Sequence, residues 1–260
     1  MMNMVPAHTL PAITGPCASE PSSVSAACAL SRSSGRPVPS CLSRVPVFSQ
    51  LRPEEVHLLH SVMRPRYSSK GEVIFREGDR SDTLYVLSRG VVKLTKLADN
   101  GKEHILRLLF PGDFFGQFSL LQEKPHYANA STADEADICR IHREDFLEVL
   151  RRSPDTAARF MSALSSQLEE ADSWASVLTL LEAERRLAKM LLYFRQKTDP
   201  SADEFKLPVS KKELAGVIGA TPETLSRKLG KLADAGIVSV NRRVIRIRKE
   251  AELRRLAGED

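Results

Sequence analysis

The sequence predicts an α+β fold with three parts: an N-terminal antiparallel β-roll, a long central helix, and a C-terminal helix-turn-helix followed by a two-stranded wing. Short apolar runs separated by Gly and Asp turns predict the roll. Apolar residues at spacings of three and four predict the helix. Two capped helical segments before a basic hairpin predict the last part. We expect these parts at residues 41–152, 153–196 and 197–260.

The first 40 residues are rich in Pro, Ser and Ala and show no periodicity. Such a segment cannot bury enough apolar surface to fold. We therefore expect residues 1–40 to be disordered, or to be an extension that results from a mistaken start site. A short helix is predicted next, over 51–62.

The β-roll is predicted from four short apolar runs, at 72–75, 84–88, 91–97 and 103–109. Asn100-Gly101 lies between the last two runs and is a strong hairpin signal. Gly78, Gly90 and Pro111-Gly112-Asp113 predict further turns, because Gly adopts positive φ at little cost.

The central helix is predicted from about 156 to 195, with Ser153-Pro154 at its start. Its apolar residues form a seam of the a/d type, which needs a partner surface. The seam packs either on the roll of its own chain or, as we favour, on the same seam of a second chain in a parallel homodimer. The seam consists of Met161, Leu164, Leu168, Ala171, Ala175 and Leu178.

The C-terminal part begins with Ser210 and Glu213, which form a capping box for a first short helix. Gly219 ends that helix, Thr221 caps the second one, and Pro222 takes its first position. The stretch VSVNRRVIRIR then predicts a two-stranded wing with a basic tip.

Charge is unevenly distributed along the chain, whose net charge is +5. Between Lys206 and Arg248 there are ten Lys or Arg against three acids, a net +7, which leaves about −2 for the rest. A basic module on a slightly acidic body favours a polyanion as partner.

The second helix suits double-stranded DNA. Glu223, Ser226 and Arg227 project together from its exposed face, and their groups match base edges in a major groove. Nearby polar and basic residues are expected to contact phosphates and to add affinity rather than sequence information. These are Lys211, Lys212, Thr221, Lys228, Arg242 and Arg243.

Several other classes of protein are disfavoured. The sequence has no apolar run of about 18 residues, and Pro6, Pro11 and Pro16 interrupt any signal-peptide core. We therefore expect no membrane partner, a cytoplasmic location, and cysteines without structural disulfides. No G-x-S-x-G, P-loop, H-E-x-x-H or Cys-x-x-Cys motif occurs, so we do not expect an enzyme.

These motifs together resemble those of the Crp/Fnr family of bacterial transcription regulators. The resemblance covers about residues 41–250 and is carried by GEVIFREGDRSDTLYVLSRGVVKLTK, PGDFFGQFSLL, the long helix and KKELAGVIGATPETLSRKLGKLADAGIV. It implies a β-roll sensor of the cyclic-nucleotide-binding type, a dimerising helix and a winged helix-turn-helix that binds DNA, with RNA polymerase as a further partner.

The recognition helix resembles the Fnr branch of that family, whose reading pattern is E-x-x-S-R. The cyclic-AMP-receptor branch has Arg and Gly where this chain has Pro222 and Ser226. The resemblance therefore implies a TTGAT-type half-site in an inverted repeat. Arg227 suits a guanine edge and Glu223 a cytosine amino group.

The residues of the roll bear on which signal it senses. Family members that bind cyclic AMP carry Gly-Glu and then Arg-Ser or Arg-Thr, whereas this chain has Gly116-Gln117 and, later, Pro125-His126-Tyr127-Ala128-Asn129 without Arg. A buried phosphate without a cation is costly, so cyclic AMP is not expected. His126 is interpreted as a turn residue.

Four cysteines offer a rival signal. Oxygen-sensing Fnr proteins hold a [4Fe–4S] cluster on three N-terminal cysteines and one in the roll, which implies Cys17, Cys28, Cys41 and Cys139 as ligands. The spacing of the first three is wider than in Fnr proteins. A thiol–disulfide switch such as Cys41–Cys139 is a second reading. In a third, no cysteine is functional and Cys139 is a small buried hydrophobe.

The leading hypothesis is a homodimeric DNA-binding regulator whose roll reports a redox, metal or small-molecule signal. The alternative is a module for a cyclic nucleotide or another small ligand whose DNA-binding part is not functional.

Overall fold

The computed structural model describes residues 54, 59, 61–99, 101 and 103–259. The predictions for residues 1–40, for most of the helix at 51–62, and for Cys17, Cys28 and Cys41 lie outside the described residues. Across the described part, two β-sheets and their flanking helices precede a helical unit with a small third sheet. This arrangement confirms the α+β fold class.

Among the described residues, eight strands form the roll. They are β1 (Arg64–Ser68), β2 (Val73–Phe75), β3 (Thr83–Arg89), β4 (Val92–Leu97), β5 (Glu103–Leu109), β6 (Phe114–Phe115), β7 (Asn129–Thr132) and β8 (Ala136–His142). One sheet has the order β1-β8-β3-β6, the other β2-β7-β4-β5, and their pairings are antiparallel. Alternating residues of both sheets meet in a core that includes Leu87, Leu109 and Phe115.

Two turns show how local sequence sets the roll. Strands β4 and β5 pair as the hairpin predicted from Asn100-Gly101, with Leu97 opposite Glu103. Gly90 has a φ of 89°, and a Cβ at this position would lie 2.1 Å from the backbone oxygen of Glu135. Only glycine fits that turn, because it lacks a Cβ.

The helices that follow the roll are α1 (Gln117–Gln122), α2 (Arg143–Arg152), α3 (Pro154–Leu180) and α4 (Ala183–Thr198). Ser153 caps α3 as predicted, since its side chain accepts a hydrogen bond from the Thr156 amide. The single helix predicted to about residue 195 is instead divided at Leu181–Glu182, where the backbone is extended. The division turns α4 into a separate core helix.

The C-terminal unit contains β9 (Glu204–Lys206), α5 (Lys211–Val217), α6 (Pro222–Asp234), β10 (Val238–Asn241), β11 (Val244–Ile247) and α7 (Glu250–Ala257). Its core includes Leu187, Leu191 and Phe194 of α4, each fully buried. The wing has a third strand that the sequence did not predict, because β9 pairs with β11. Arg246 and Glu204 form an ion pair across these two strands at 2.6 Å.

The roll and the C-terminal unit share one apolar cluster, which contains Val91, Leu108 and Phe110 of the roll.

None of the helices described, from α1 to α7, is long and apolar enough to cross a membrane.

Candidate nucleic-acid interface

Helix α6 begins as the sequence predicts. The Thr221 side chain accepts a hydrogen bond from the Thr224 amide at 3.2 Å, and Pro222 occupies the first turn. Proline is suited to that position, because its missing N–H would have no partner there and its φ is already helical. Gly236, with a φ of 66°, lies just beyond the last turn. These local signals fix where the helix starts and stops.

Packing orients α6. Its inward face carries Leu225, Leu229 and Leu232, which are 1 %, 3 % and 2 % exposed and lie in the same core as α4 and α5. Removing three such side chains from water contributes several kcal/mol, at roughly 1.5–3 kcal/mol each. The helix therefore cannot rotate about its axis without exposing them, and its opposite face is held towards solvent.

The opposite face carries the three predicted reading residues. Glu223, Ser226 and Arg227 are all exposed and lie within two turns of the N-terminus of α6. The pKa of Glu223 is lowered, because its carboxylate accepts hydrogen bonds from its own backbone N–H and from the Thr221 side chain. Glu223 is thus an ionised acceptor at neutral pH. Among the described residues, Arg227 forms no ion pair, so its guanidinium is available to a ligand.

Helix α5 carries the first helix-turn-helix segment. The capping box is present: the Ser210 side chain accepts from the Glu213 amide at 3.2 Å, and the Glu213 carboxylate accepts from the Ser210 amide at 2.8 Å. Lys211 and Lys212 are exposed at the start of this helix. They can therefore approach a phosphate, where cations and helix N-termini both favour negative charge.

Glu213 has a second partner that the sequence did not indicate. Its carboxylate accepts a hydrogen bond from Lys93 Nζ on β4 at 2.6 Å. Burial opposes ionisation of Glu213, but the hydrogen bonds from Lys93 and Ser210 outweigh it and lower its pKa to about 2. This ion pair joins the roll to the helix-turn-helix. No sequence signal could have found it, since 120 residues separate the partners.

Two of the six predicted phosphate contacts are directed elsewhere. Lys228 forms an ion pair with Glu184 of α4, and its side chain is only 20 % exposed. Arg243 donates a hydrogen bond to the Leu207 carbonyl oxygen at 2.8 Å and is half-buried. In the DNA-free chain, both side chains make contacts within the C-terminal unit. Thr221 and Arg242, like Lys211 and Lys212, are exposed.

The predicted seam of α3 is mostly uncovered in the single chain. Met161 and Leu168 are 61 % and 64 % exposed, and Ala171 and Ala175 are also exposed. Leu164 instead packs partly against the core between the roll and α2, and Leu178 is half-buried. Packing of the seam on the roll of its own chain therefore covers only some of the seam residues.

The cassette, residues 116–129, packs against the roll and α3. His126 is 4 % exposed, stacks on Phe75 with 3.5 Å between ring centroids, and shares a 2.8 Å hydrogen bond between Nδ1 and Ser119 Oγ. Burial lowers the pKa of His126, and the charge of Asp79 only partly opposes this effect. The lowered pKa favours a neutral ring. Gln117 donates to Gln167 of α3 at 3.1 Å. His126 is thus a packed core residue rather than only a turn residue.

Residues 116–129 contain no arginine, and their one cation, Lys124, is exposed. A buried phosphate needs a charged or multiple hydrogen-bonding partner to offset its lost hydration.

Cys139 lies in the middle of β8 and is 2 % exposed. Its sulfur is disulfide-bonded, which corrects the expectation that the cysteines carry no disulfide. That expectation was based only on the predicted cytoplasmic location. The location of a protein does not determine which sulfur atoms its fold brings together. A [4Fe–4S] cluster needs free thiolates. Cys139 in this form does not fit the role of ligand that was predicted for Cys17, Cys28, Cys41 and Cys139.

Comparison with known proteins agrees with this architecture. A cyclic nucleotide-binding domain family matches residues 65–153, and a Crp-like helix-turn-helix domain family matches residues 185–256. The chain is 35 % identical over 213 residues to the cyclic AMP receptor protein of Thermus thermophilus, covering 82 % of this chain and 96 % of the relative. It is 27 % identical to the anaerobic regulatory protein of Aggregatibacter actinomycetemcomitans, covering 84 % and 86 %.

A solved structure is similar throughout the same region. FixK2 from Bradyrhizobium japonicum is 25 % identical and superposes with a TM-score of 0.69, covering 75 % of this chain and 97 % of that one. The relatives are transcription regulators, so the prediction that this chain is not an enzyme is confirmed.

Proposed function

The chain belongs to the Crp/Fnr family of transcription regulators, as its motifs predicted, and from that premise we propose that it binds an inverted repeat with TTGAT-type half-sites. The observation that carries this proposal is the exposed face of α6, with Glu223, Ser226 and Arg227 side by side above a fully packed leucine face. Residues of that kind hydrogen-bond base edges in a major groove.

Each reading residue has a distinct chemical role. Arg227 donates two hydrogen bonds to the O6 and N7 atoms of the half-site guanine. Glu223, whose carboxylate is ionised at neutral pH, accepts from the amino group of a cytosine. Ser226 contacts a thymine. Lys211, Lys212, Thr221 and Arg242 contact phosphates, whereas Lys228 and Arg243 keep their partners within the unit.

We further infer that the regulator is a homodimer that pairs through the exposed seam of α3. The exposure of Met161 and Leu168 supports this inference, because a row of apolar side chains at helical spacing gains from burial against a second copy. Two-fold symmetry then matches the inverted repeat, with half-sites about one DNA turn apart. RNA polymerase and a cytoplasmic location are inferred from family membership.

The DNA assignment is tested with Arg227→Ala. We expect the variant to bind a TTGAT palindrome with a loss of about 1–3 kcal/mol per contact and to discriminate poorly against a duplex whose half-site G·C pair is changed to A·T. Binding is measured by gel shift and fluorescence anisotropy at fixed salt. The matched control is Arg255→Ala, which removes the same charge from an exposed position on α7.

Two results would contradict the assignment. One is equal affinity and equal selectivity of Arg227→Ala and the wild type. The other is equal loss of affinity in Arg227→Ala and Arg255→Ala on both duplexes, since that would indicate bulk electrostatics rather than base reading.

Among the possible signals, the disulfide at Cys139 supports a redox input. Strand β8 pairs with both β1 and β3, so a covalent bond at its centre constrains one whole sheet of the roll. We expect reduction of the wild type to change its DNA affinity and Cys139→Ser to be insensitive to reductant. Equal affinity of the oxidised and reduced wild type would refute the redox input and leave the DNA assignment intact.

A further inference from the structure

A cavity of about 290 Å³ lies where β5, α3 and the C-terminal unit meet. Its wall is mainly apolar and aromatic, with Leu106 and Leu108 from the roll, Trp174 from α3, and Met190 and Tyr193 from α4. A concave apolar site of roughly 300 Å³ or more is of the size that holds small molecules in proteins. It is separate from both the cassette and the DNA-reading face.

The cavity uses a different face of α3 from the seam. Glu170, Trp174 and Val177 line it, at spacings of four and three, and so form one stripe along the helix. The seam residues Leu168 and Ala175 lie on another stripe, and only Ala171 touches both. A second chain that packs on the seam therefore leaves this cavity open.

Charged groups at the cavity wall are already paired. Arg107 forms an ion pair with Glu170 at 3.2 Å, and Lys189 with Glu259 at 3.6 Å. The Tyr193 hydroxyl donates to the other Glu170 oxygen at 2.9 Å. Because these four charges are matched, the wall offers no unpaired ion to a charged ligand, and a buried unpaired charge is costly.

We propose that this cavity binds a neutral, largely apolar small molecule. Such a molecule packs between Trp174 and the apolar side chains of β5 and α4 without competing for the paired ions. It contacts the roll and the helix-turn-helix unit at once, so it stabilises the arrangement in which the two are docked. Binding itself is independent of the proposed DNA assignment, and only its effect on transcription rests on that assignment.

The full-length chain is titrated with N-phenyl-1-naphthylamine, a neutral probe that fluoresces in apolar sites. Trp174 is the sole tryptophan of the sequence, so energy transfer from it reports occupancy beside this wall. We expect saturable binding of one probe per chain with quenching of Trp174. The anionic analogue 8-anilinonaphthalene-1-sulfonate has the same rings plus a sulfonate, and we expect it to bind at least about tenfold more weakly, because its charge has no partner.

Two pairs of variants locate the site. Ser173→Phe fills the cavity from an exposed position on α3, whereas Ser176→Phe places the same ring outside it. Leu106→Asp puts a carboxylate on the cavity wall, whereas Leu97→Asp puts one in the same hairpin but away from the cavity. These leucines are 45 % and 64 % exposed, so we expect both variants to fold. We expect roughly tenfold weaker probe binding in the first member of each pair and little change in the second.

The outcomes decide the proposal. Circular dichroism establishes whether each variant is folded. If Ser173→Phe does not fold, the comparison of Leu106→Asp with Leu97→Asp locates the site. Absence of saturable binding to the wild type, or equal binding by the two members of the folded pair, overturns the site. Equal or tighter binding of the sulfonate overturns the neutral ligand class.

Discussion

The ion pair between Lys93 and Glu213 allows a test of how the roll is joined to the helix-turn-helix. We consider Lys93→Met, which keeps the apolar stem and removes the ammonium. Only 14 % of the Lys93 side chain and 33 % of the Glu213 side chain are exposed, and their charged atoms lie 2.6 Å apart. Glu213 would keep its capping bond to Ser210 but lose its charged partner.

The expected magnitude follows from the pKa of Glu213. A fall from its ordinary value of 4.5 to about 2 is equivalent to roughly 3 kcal/mol of stabilisation of the ionised form. Part of this belongs to the Ser210 capping bonds, and the third of Glu213 that is exposed is screened by solvent. We therefore expect Lys93→Met to lower the free energy of unfolding by about 1–2 kcal/mol.

The assay is urea and thermal unfolding of the full-length protein, with Lys96→Met as control. Lys96 lies on the same strand and pairs with Glu77 at 3.2 Å, but both side chains are more than 40 % exposed, so its loss should cost under about 1 kcal/mol. At about 2–4 °C per kcal/mol, Lys93→Met should melt several degrees lower than the wild type.

The pH dependence has a definite sign. The pKa of Glu213 is lower in the folded than in the unfolded chain, so its stabilisation is complete above about pH 4.5 and is lost as the pH falls towards 2. The difference between wild type and Lys93→Met should shrink over that range. If Lys93→Met costs no more than Lys96→Met, or if the difference is independent of pH, the reasoning is wrong.

Two further predictions concern the turn at Gly90 and the seam. Gly90→Ala should destabilise the roll by about 3 kcal/mol or more in urea unfolding, because the new Cβ would meet the Glu135 carbonyl at 2.1 Å in a left-handed backbone. Gly101→Ala, with φ 73° and no atom within 4 Å of the new Cβ, should cost only about 1–2 kcal/mol, and equal costs would contradict the argument. Leu168→Glu should convert a dimer to a monomer in light scattering and weaken binding to the palindrome, whereas Leu180→Glu, which is outside the seam and 80 % exposed, should do neither. A wild type that is monomeric would refute the proposed pairing.

The sequence by itself determined the features that depend on neighbours along the chain. Ser153, Ser210 and Thr221 cap the helices that were predicted, because a capping bond spans only three residues. Asn100-Gly101 specified the β4–β5 hairpin for the same reason. The shared, exposed face of Glu223, Ser226 and Arg227 followed from their spacing of three and four residues on one helix.

Only the tertiary structure decided contacts between distant parts of the chain. No Gly or Pro marks the division at Leu181–Glu182, and beyond it Leu187, Leu191 and Phe194 are buried in the core of the C-terminal unit. Lys228 looked like a phosphate contact because nothing near it in sequence reveals Glu184, 44 residues away. The same holds for Lys93 with Glu213 and for the ring of His126 on Phe75. Such pairs form where burial brings elements together, and a single sequence does not encode that proximity in any local pattern.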